Sequence, residues 1–116
     1  MTPLGRYLVA EMHECDAAHL DDEEYLRARC VEAAVAMGAR VVGQTSHHYA
    51  PVGVTVVVLL AESHLIFHTW PEHRAASVDI FVCGGTTDPV RARDFMAQAV
   101  GARRVEDVGV AHPAVR

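Results

Sequence analysis

The order of hydrophobic and polar positions along the chain predicts several strands and two helices. The run 54–61 is apolar on both faces, which is typical of a buried central strand. Residues 23–37 repeat apolar side chains every three or four positions, the spacing of an amphipathic helix. Asp88 followed by Pro89 predicts the start of a second helix, because aspartate is a good N-cap and proline fits the first helical position. Apolar positions predict further strands at residues 7–12, 40–45, 65–70, 78–83 and 105–110.

The predicted element order is β-α-β-β-β-β-α-β. Several strands follow one another through short turns, which requires antiparallel pairing. We therefore predict an α+β fold, a two-layer sandwich in which two helices cover one face of a mainly antiparallel sheet. The other sheet face has no helix assigned to it, which indicates that a partner subunit covers that face or contributes to a site there. The 116 residues fit one domain, 1–116.

Composition and charge narrow the function classes. The net charge is −5 and no basic stripe is present, so we expect no nucleic-acid partner. The longest apolar run is too short to cross a membrane, and the first residues lack the basic flank and apolar stretch of a secretory signal. The three cysteines show no pairing pattern, which favours a reducing cytoplasm over a disulfide framework.

The basic residues are all arginine, and the chain contains no lysine. Enzymes that use pyridoxal phosphate hold it as a Schiff base on a lysine, so that cofactor is excluded. If the protein acts on amines through an imine, the carbonyl group has to come from another source.

The residues with reactive side chains leave several interpretations open. Five of the eight histidines cluster in the middle third, but no helical pair and no HExxH motif indicates a metal site, and we predict none. Cys83 ends a strand before two glycines and fits either a buried small side chain or a catalytic thiol. Ser63 lacks the GxSxG context of a hydrolase nucleophile, so by itself it fits a turn between two buried strands.

The segment 61–72, AESHLIFHTWPE, resembles the self-cleavage segment of the small bacterial S-adenosylmethionine decarboxylases. A second block, VDIFVCG at 78–84, follows at the spacing of that family, and residues 5–16 resemble its first strand and the turn after it. Glu14 stands where the family usually has glycine. The resemblance covers roughly residues 5–110, and the pair of blocks is highly specific.

The resemblance implies that the proenzyme cleaves itself between Glu62 and Ser63. The Ser63 hydroxyl attacks the Glu62 carbonyl, and the peptide bond becomes an ester. His68 matches the residue that accepts the Cα proton of Ser63, which lets the Glu62 carboxylate leave. The dehydroalanine left at position 63 then tautomerises and is hydrolysed by water. This step releases ammonia and leaves a pyruvoyl group, which forms the Schiff base with the substrate. The expected products are a β chain, 1–62, and an α chain, 63–116, with no pyridoxal phosphate and no metal.

The resemblance also implies roles for five other residues. Cys83 matches the proton donor in decarboxylation, a role that a thiol can fill as a general acid. Tyr49 stands where an aromatic residue stacks on the adenine, and Glu72 matches the carboxylate that binds the ribose hydroxyls. Thr55 replaces a serine linked to processing and positioning. Trp70 is a candidate wall of the substrate pocket.

The implied activity is the decarboxylation of S-adenosylmethionine to S-adenosylmethioninamine for spermidine biosynthesis, in a homodimer of processed αβ units with sites at the interface. After Glu72 the chain departs from the family: 73–77 is HRAAS instead of the more usual YGYAA. This departure leaves open a pyruvoyl-dependent arginine or ornithine decarboxylase, although Tyr49 and Glu72 favour the nucleoside substrate. A non-processing homologue with a binding or regulatory role is the alternative from another class.

Overall fold

The computed structural model describes residues 2–115. Its helices are α1 (Ala17–Leu20), α2 (Glu23–Ala36) and α3 (Pro89–Ala99), with a 3-10 turn at Pro71–His73. Its strands are β1 (Thr2–Pro3), β2 (Arg6–His13), β3 (Val41–His48), β4 (Val54–Leu60), β5 (Ser63–Trp70), β6 (Ala75–Val82), β7 (Arg104–Ala111) and β8 (Ala114–Val115). Six strands form one antiparallel sheet in the order β3-β4-β5-β6-β2-β7, and β1 pairs with β8.

Aspartate side chains cap the first turns of α2 and α3. The Asp22 carboxylate accepts a hydrogen bond from the backbone N–H of Tyr25 at 3.0 Å, and the Asp88 carboxylate accepts one from Val90 at 3.1 Å. Such side-chain acceptors satisfy backbone donors that have no partner in the first turn. The α+β fold predicted from the sequence is confirmed, with helices packed on one face of an antiparallel sheet.

The core lies between the helices and the sheet. Alternate residues of each central strand face the helices, as the two-residue period of a strand requires. Leu65 and Phe67 of β5 are fully buried there, and so are Leu26 and Cys30 of α2. This packing fixes which side chains of each strand face the helices and which face the other way.

A single turn of helix, α1, lies in the segment that the sequence predicts as a polar connection. The Asp16 carboxylate caps it by accepting a hydrogen bond from Ala18 N–H at 3.0 Å, and Leu20 is its one buried residue. One helical turn is too short to show an amphipathic repeat, so the pattern of residues 16–22 gave no signal for it.

The opposite face of the six-stranded sheet is not covered by any described helix. It carries large apolar side chains that are partly exposed: Tyr7 at 38%, Leu59 at 49% and Trp70 at 43%. Such a face is unusual on a monomer unless another molecule covers it. Among the described helices, none is long and apolar enough to cross a membrane.

Candidate active site

The turn that joins β4 to β5 contains the predicted cleavage bond. Leu60 pairs with Ser63 in the sheet, so Ala61 and Glu62 form a two-residue turn. Glu62 has a φ of 65°, in the left-handed region. A residue with a side chain disfavours this conformation by about 1 kcal/mol relative to the right-handed one. The Glu62–Ser63 bond therefore lies in a strained turn at the tip of a hairpin.

Cys83 meets this turn from the end of the neighbouring strand. Its backbone N–H donates to Ser63 Oγ at 3.2 Å, and its thiol Sγ donates to the carbonyl oxygen of Glu62 at 3.1 Å. The structure thus brings together the two residues of the predicted scissile bond and the predicted proton donor. We call these three residues the cleavage half-site.

The three cysteines differ in their surroundings. Burial raises the pKa of the Cys15 thiol to about 11, although the nearby Arg74 guanidinium opposes this. Burial also raises the pKa of Cys30, which lies in the core. Cys83 is only partly buried. Of the three thiols, Cys83 is the one placed both to reach a reacting group and to be reached from solvent.

A second group of predicted residues lies further along the same hairpin. Thr55 and His68 are opposite each other in β4 and β5, and Thr55 Oγ1 lies 2.8 Å from His68 Nδ1. The Tyr49 hydroxyl lies 3.0 Å from the same Thr55 oxygen. The ring of Trp70 stacks near that of His68, with 5.8 Å between centroids. These contacts fix the orientation of the His68 imidazole on the uncovered sheet face.

One cavity of about 290 Å³ collects the residues predicted to bind adenosine. Its lining is Tyr49, Val52, Gly53, His68, Thr69, Trp70 and Glu72. It therefore joins an aromatic face, a carboxylate and an imidazole, a combination suited to a base and a ribose. We call Tyr49, Thr55, His68, Trp70 and Glu72 the pocket half-site.

The two half-sites are far apart within one chain. His68 lies five positions along β5 from Ser63, which corresponds to roughly 17 Å at the rise of an extended strand. The odd separation also directs the two side chains to opposite faces of the strand. The structure therefore does not bring the predicted base His68 to the bond on which it would act in the same chain.

Two residues of this region were missed by the sequence analysis. Thr69 is only 6% exposed, and its hydroxyl donates to Leu20 C=O at 2.7 Å and accepts from Val54 N–H at 2.9 Å. The sequence offers one sign of this role for Thr69, a hydroxyl on the core-facing side of an otherwise apolar strand. Asp21 accepts a hydrogen bond from Gly53 N–H at 2.9 Å. A contact between residues so far apart in sequence leaves no local pattern.

One group of potential metal ligands is present among residues 2–115. The side chains of Glu11, His13 and Glu106 place their ligand atoms within 4.8 Å of one another. The Arg104 guanidinium lies 3.5 Å from Glu106 and already supplies a positive charge there. None of the predicted site residues belongs to this group, so it has no part in the chemistry predicted for the two half-sites.

The chain is similar in sequence to known proteins over most of its length. A family model described as S-adenosylmethionine decarboxylase matches residues 6–110. The chain is 44% identical over 108 residues to the S-adenosylmethionine decarboxylase proenzyme of Thermotoga maritima, which covers 93% of this chain and 83% of that protein. It is 43% identical over 100 residues to the proenzyme of Prochlorococcus marinus, with 86% and 80% covered.

The fold is also similar to a solved structure. The adenosylmethionine decarboxylase of Aquifex aeolicus matches this chain with a TM-score of 0.89 and 29% sequence identity, over 100% of this chain and 95% of that one. Sequence and structure thus agree over the segments that carry both half-sites. The chain belongs to the S-adenosylmethionine decarboxylase family.

Proposed function

We propose that this chain is a proenzyme that cleaves itself between Glu62 and Ser63 and then decarboxylates S-adenosylmethionine through a pyruvoyl group. The product, S-adenosylmethioninamine, is the aminopropyl donor for spermidine biosynthesis. The observation that carries the proposal is the position of Cys83, with its thiol 3.1 Å from the Glu62 carbonyl oxygen and its N–H 3.2 Å from Ser63 Oγ. Membership of the family supports it, and the relatives described above are named as proenzymes.

The geometry of the cleavage half-site suits the first step of processing. When Ser63 Oγ attacks the Glu62 carbonyl carbon, negative charge develops on the carbonyl oxygen. The Cys83 thiol donates a hydrogen bond to that oxygen and stabilises the charge, as donors in an oxyanion hole do. The left-handed conformation of Glu62 raises the energy of the uncut chain, and cleavage releases that strain.

The residues around Ser63 also fit a pyruvoyl group. Ser63 is the first residue of β5, and this strand pairs with both β4 and β6. Cleavage of the turn therefore leaves the new end of the α chain, 63–116, held in the sheet beside the N–H of Cys83. A pyruvoyl group at this position would supply a ketone for the substrate amine and an electron sink for the loss of CO2. The Cys83 thiol donates the proton that replaces the carboxyl group.

We infer that two copies of the chain complete each site. Within one chain, roughly 17 Å of strand separates His68 from Ser63. The uncovered sheet face bears His68 together with partly exposed apolar side chains such as Leu59 and Trp70, and a second copy would bury that face. In the homodimer, the pocket half-site of one subunit binds adenosine and supplies His68. The cleavage half-site of the other subunit supplies Ser63 and Cys83.

The two alternatives have less support. An arginine or ornithine decarboxylase needs no adenosine pocket, yet Tyr49 and Glu72 line one cavity. A non-processing homologue needs neither a serine at position 63 nor a thiol against the Glu62 carbonyl. The family match and the names of the relatives do not favour either alternative.

Mass spectrometry and a labelled-substrate assay test the proposal. The purified wild-type protein should consist of two fragments, 1–62 and 63–116, with a pyruvoyl group at the start of the second. A Ser63→Ala variant should remain one chain of 12.6 kDa and release no CO2. Wild type should release labelled CO2 from S-adenosylmethionine but not from arginine or ornithine. An intact wild-type chain, or CO2 from a basic amino acid alone, would refute the proposal.

A further inference from the structure

Tyr49 lies in the loop 48–53, and the residues at both ends of this loop bind one carboxylate, that of Asp21. Asp21 Oδ1 accepts a hydrogen bond from the backbone N–H of Gly53 at 2.9 Å and another from His48 Nε2 at 2.8 Å. The carbonyl oxygen of Gly53 in turn accepts from the N–H of Tyr49 at 2.7 Å. Asp21 therefore fixes the residue that precedes Tyr49 and the residue that closes the loop after it.

Asp21 is itself fixed to the core of the protein. It follows directly after α1, whose last residue, Leu20, is fully buried. The carbonyl oxygen of Leu20 accepts a hydrogen bond at 2.7 Å from the hydroxyl of the buried Thr69. The hydrogen bonds from Gly53 and His48 also hold the pKa of the Asp21 carboxyl below its usual range, so the acceptor is ionised at neutral pH. A charged acceptor forms stronger hydrogen bonds than a neutral one.

Besides the restraint from Asp21, the Tyr49 side chain contacts Thr55 Oγ1, 3.0 Å from its hydroxyl, and the edge of the His47 ring, 4.6 Å between centroids, and both contacts lie at the surface. Residues 47–51 are exposed, and Tyr49 is 45% exposed. A segment with little buried apolar surface opens at low free-energy cost unless hydrogen bonds restrain it. A mobile Tyr49 would have to be ordered each time a ligand binds, which lowers affinity.

We propose that Asp21 is a positioning residue for substrate binding, which holds Tyr49 in the orientation that the adenine ring requires. Asp21 does not line the cavity, so it acts through the loop and not by contact with the substrate. This inference rests on the proposed function for the identity of the ligand. We call the two hydrogen bonds from Gly53 N–H and His48 Nε2 to Asp21 the clamp. The clamp is a property of the folded chain and can be tested without turnover.

Hydrogen exchange tests the clamp directly. In the uncut Ser63→Ala variant, Asp21→Ala should make the Gly53 amide exchange about tenfold faster or more, since the Gly53 N–H loses the one acceptor that it has among residues 2–115. Asp22→Ala is the matched control, because this neighbouring aspartate caps α2 through Tyr25 N–H and makes no hydrogen bond to the loop. It should leave Gly53 exchange unchanged. Unchanged exchange of Gly53 in Asp21→Ala would overturn the inference, whatever reaction the enzyme performs.

Steady-state kinetics then tests the role in binding. Asp21→Ala should raise KM for S-adenosylmethionine about tenfold while kcat changes by less than about twofold, the effect expected when two charge-assisted hydrogen bonds that preorganise a site are lost. Asp21→Asn keeps the accepting oxygen and should stay within about threefold of the wild-type KM. Asp22→Ala should change neither constant.

A double variant shows whether Asp21 acts through Tyr49. In a Tyr49→Ala background the ring to be positioned is gone, so adding Asp21→Ala should raise KM no further. A further rise of about tenfold in that background would overturn the role assigned to Asp21, because the two effects would then be independent. If the wild type does not use S-adenosylmethionine, the proposed function is wrong. The exchange rate of the Gly53 amide would still show whether Asp21 holds the loop.

Discussion

Replacing Thr69 with valine removes one hydroxyl from the junction of α1, β4 and β5. The side chain keeps its shape, because valine differs from threonine by a methyl group in place of the hydroxyl. The hydroxyl donates to Leu20 C=O at 2.7 Å and accepts from Val54 N–H at 2.9 Å, and the residue is 6% exposed. The substitution therefore leaves one backbone carbonyl and one backbone N–H without these partners in a site that water hardly reaches.

The loss of stability in Thr69→Val follows from the unpaired Leu20 carbonyl and Val54 N–H. A buried donor or acceptor left unpaired destabilises a protein by about 1–3 kcal/mol. The extra methyl group of valine returns roughly 1 kcal/mol of apolar burial. We therefore expect Thr69→Val, which leaves two such groups unpaired, to lower the free energy of unfolding by about 1–5 kcal/mol. Thr69→Ser keeps the hydroxyl and loses one methyl group, so it should cost only about 1 kcal/mol.

Equilibrium unfolding in urea, followed by circular dichroism, measures both values. The uncut Ser63→Ala chain should serve as the background, at one fixed protein concentration, so that processing and subunit dissociation affect every variant equally. Thr45→Val is the matched control, because Thr45 is an exposed residue of β3. It should change stability by less than about 0.5 kcal/mol. If Thr69→Val is as stable as the background, or if Thr69→Ser has a lower free energy of unfolding than Thr69→Val, the hydroxyl does not stabilise this junction.

Four further predictions concern other parts of the chain. In the uncut chain, iodoacetamide should label Cys83 well before the two buried cysteines, as peptide mass spectrometry would show; labelling of all three at equal rates would contradict the burial described. Glu14 has a φ of 56°, so Glu14→Gly should raise the urea midpoint by an amount equivalent to up to about 1 kcal/mol, whereas a lower midpoint would contradict strain at that position. Arg74 has a φ of 51° but also donates to Cys15 C=O at 2.7 Å, so Arg74→Gly should give no such gain; a gain equal to that of Glu14→Gly would show that this hydrogen bond contributes nothing. The folded-state pKa of Asp21 is lowered, so its ionised form contributes stability above about pH 4, and the contribution is lost as the pH falls through the folded-state pKa. The stability difference between wild type and Asp21→Ala should therefore shrink as the pH falls below 4, and a difference that stays constant down to pH 2 would contradict the shift.

Much of the fold follows from the sequence, because the long elements carry strong periodic signals. The apolar run 54–61 predicts a buried strand, and the apolar stripe on 23–37 predicts an amphipathic helix. Asp88 with Pro89 marks the start of a second helix. Hydrophobicity is a poorer guide to burial on α3. The larger apolar residue Val90 is 40% exposed, whereas Ala92 is fully buried. Which residues of a short helix face the sheet depends on how the helix is rotated against its neighbours, and hydrophobicity alone does not fix that rotation.

The candidate site was predictable only in part. The resemblance supplied Ser63, His68 and Cys83, but the predicted strand began only at residue 65. The separation of residues 63 and 68 along one strand therefore came from the structure. The contact of Cys83 with Glu62 depends on the pairing of β5 with β6, which no local pattern specifies. The clamp by Asp21 depends on a turn of helix too short to leave a repeat. Long-range contacts between polar groups are the part of this site that the sequence does not display.

The central claim is that each processing site combines Ser63 and Cys83 of one chain with His68 of another. It can be tested by co-expressing two chains with different tags, one carrying Ser63→Ala and the other His68→Ala. In a mixed dimer, the His68→Ala chain supplies Ser63, and the Ser63→Ala chain supplies His68. Each chain expressed alone lacks one of the two residues at every site.

Mass spectrometry of the co-purified pair gives the decisive result. We expect the His68→Ala chain to be cut into 1–62 and 63–116 in the mixed dimer and to be cut slowly or not at all when expressed alone. Cleavage of the His68→Ala chain alone at the wild-type rate would show that His68 is not the base. Absence of cleavage in the mixed dimer would show that both residues must act within one chain, in contradiction to the separation of Ser63 and His68 along β5.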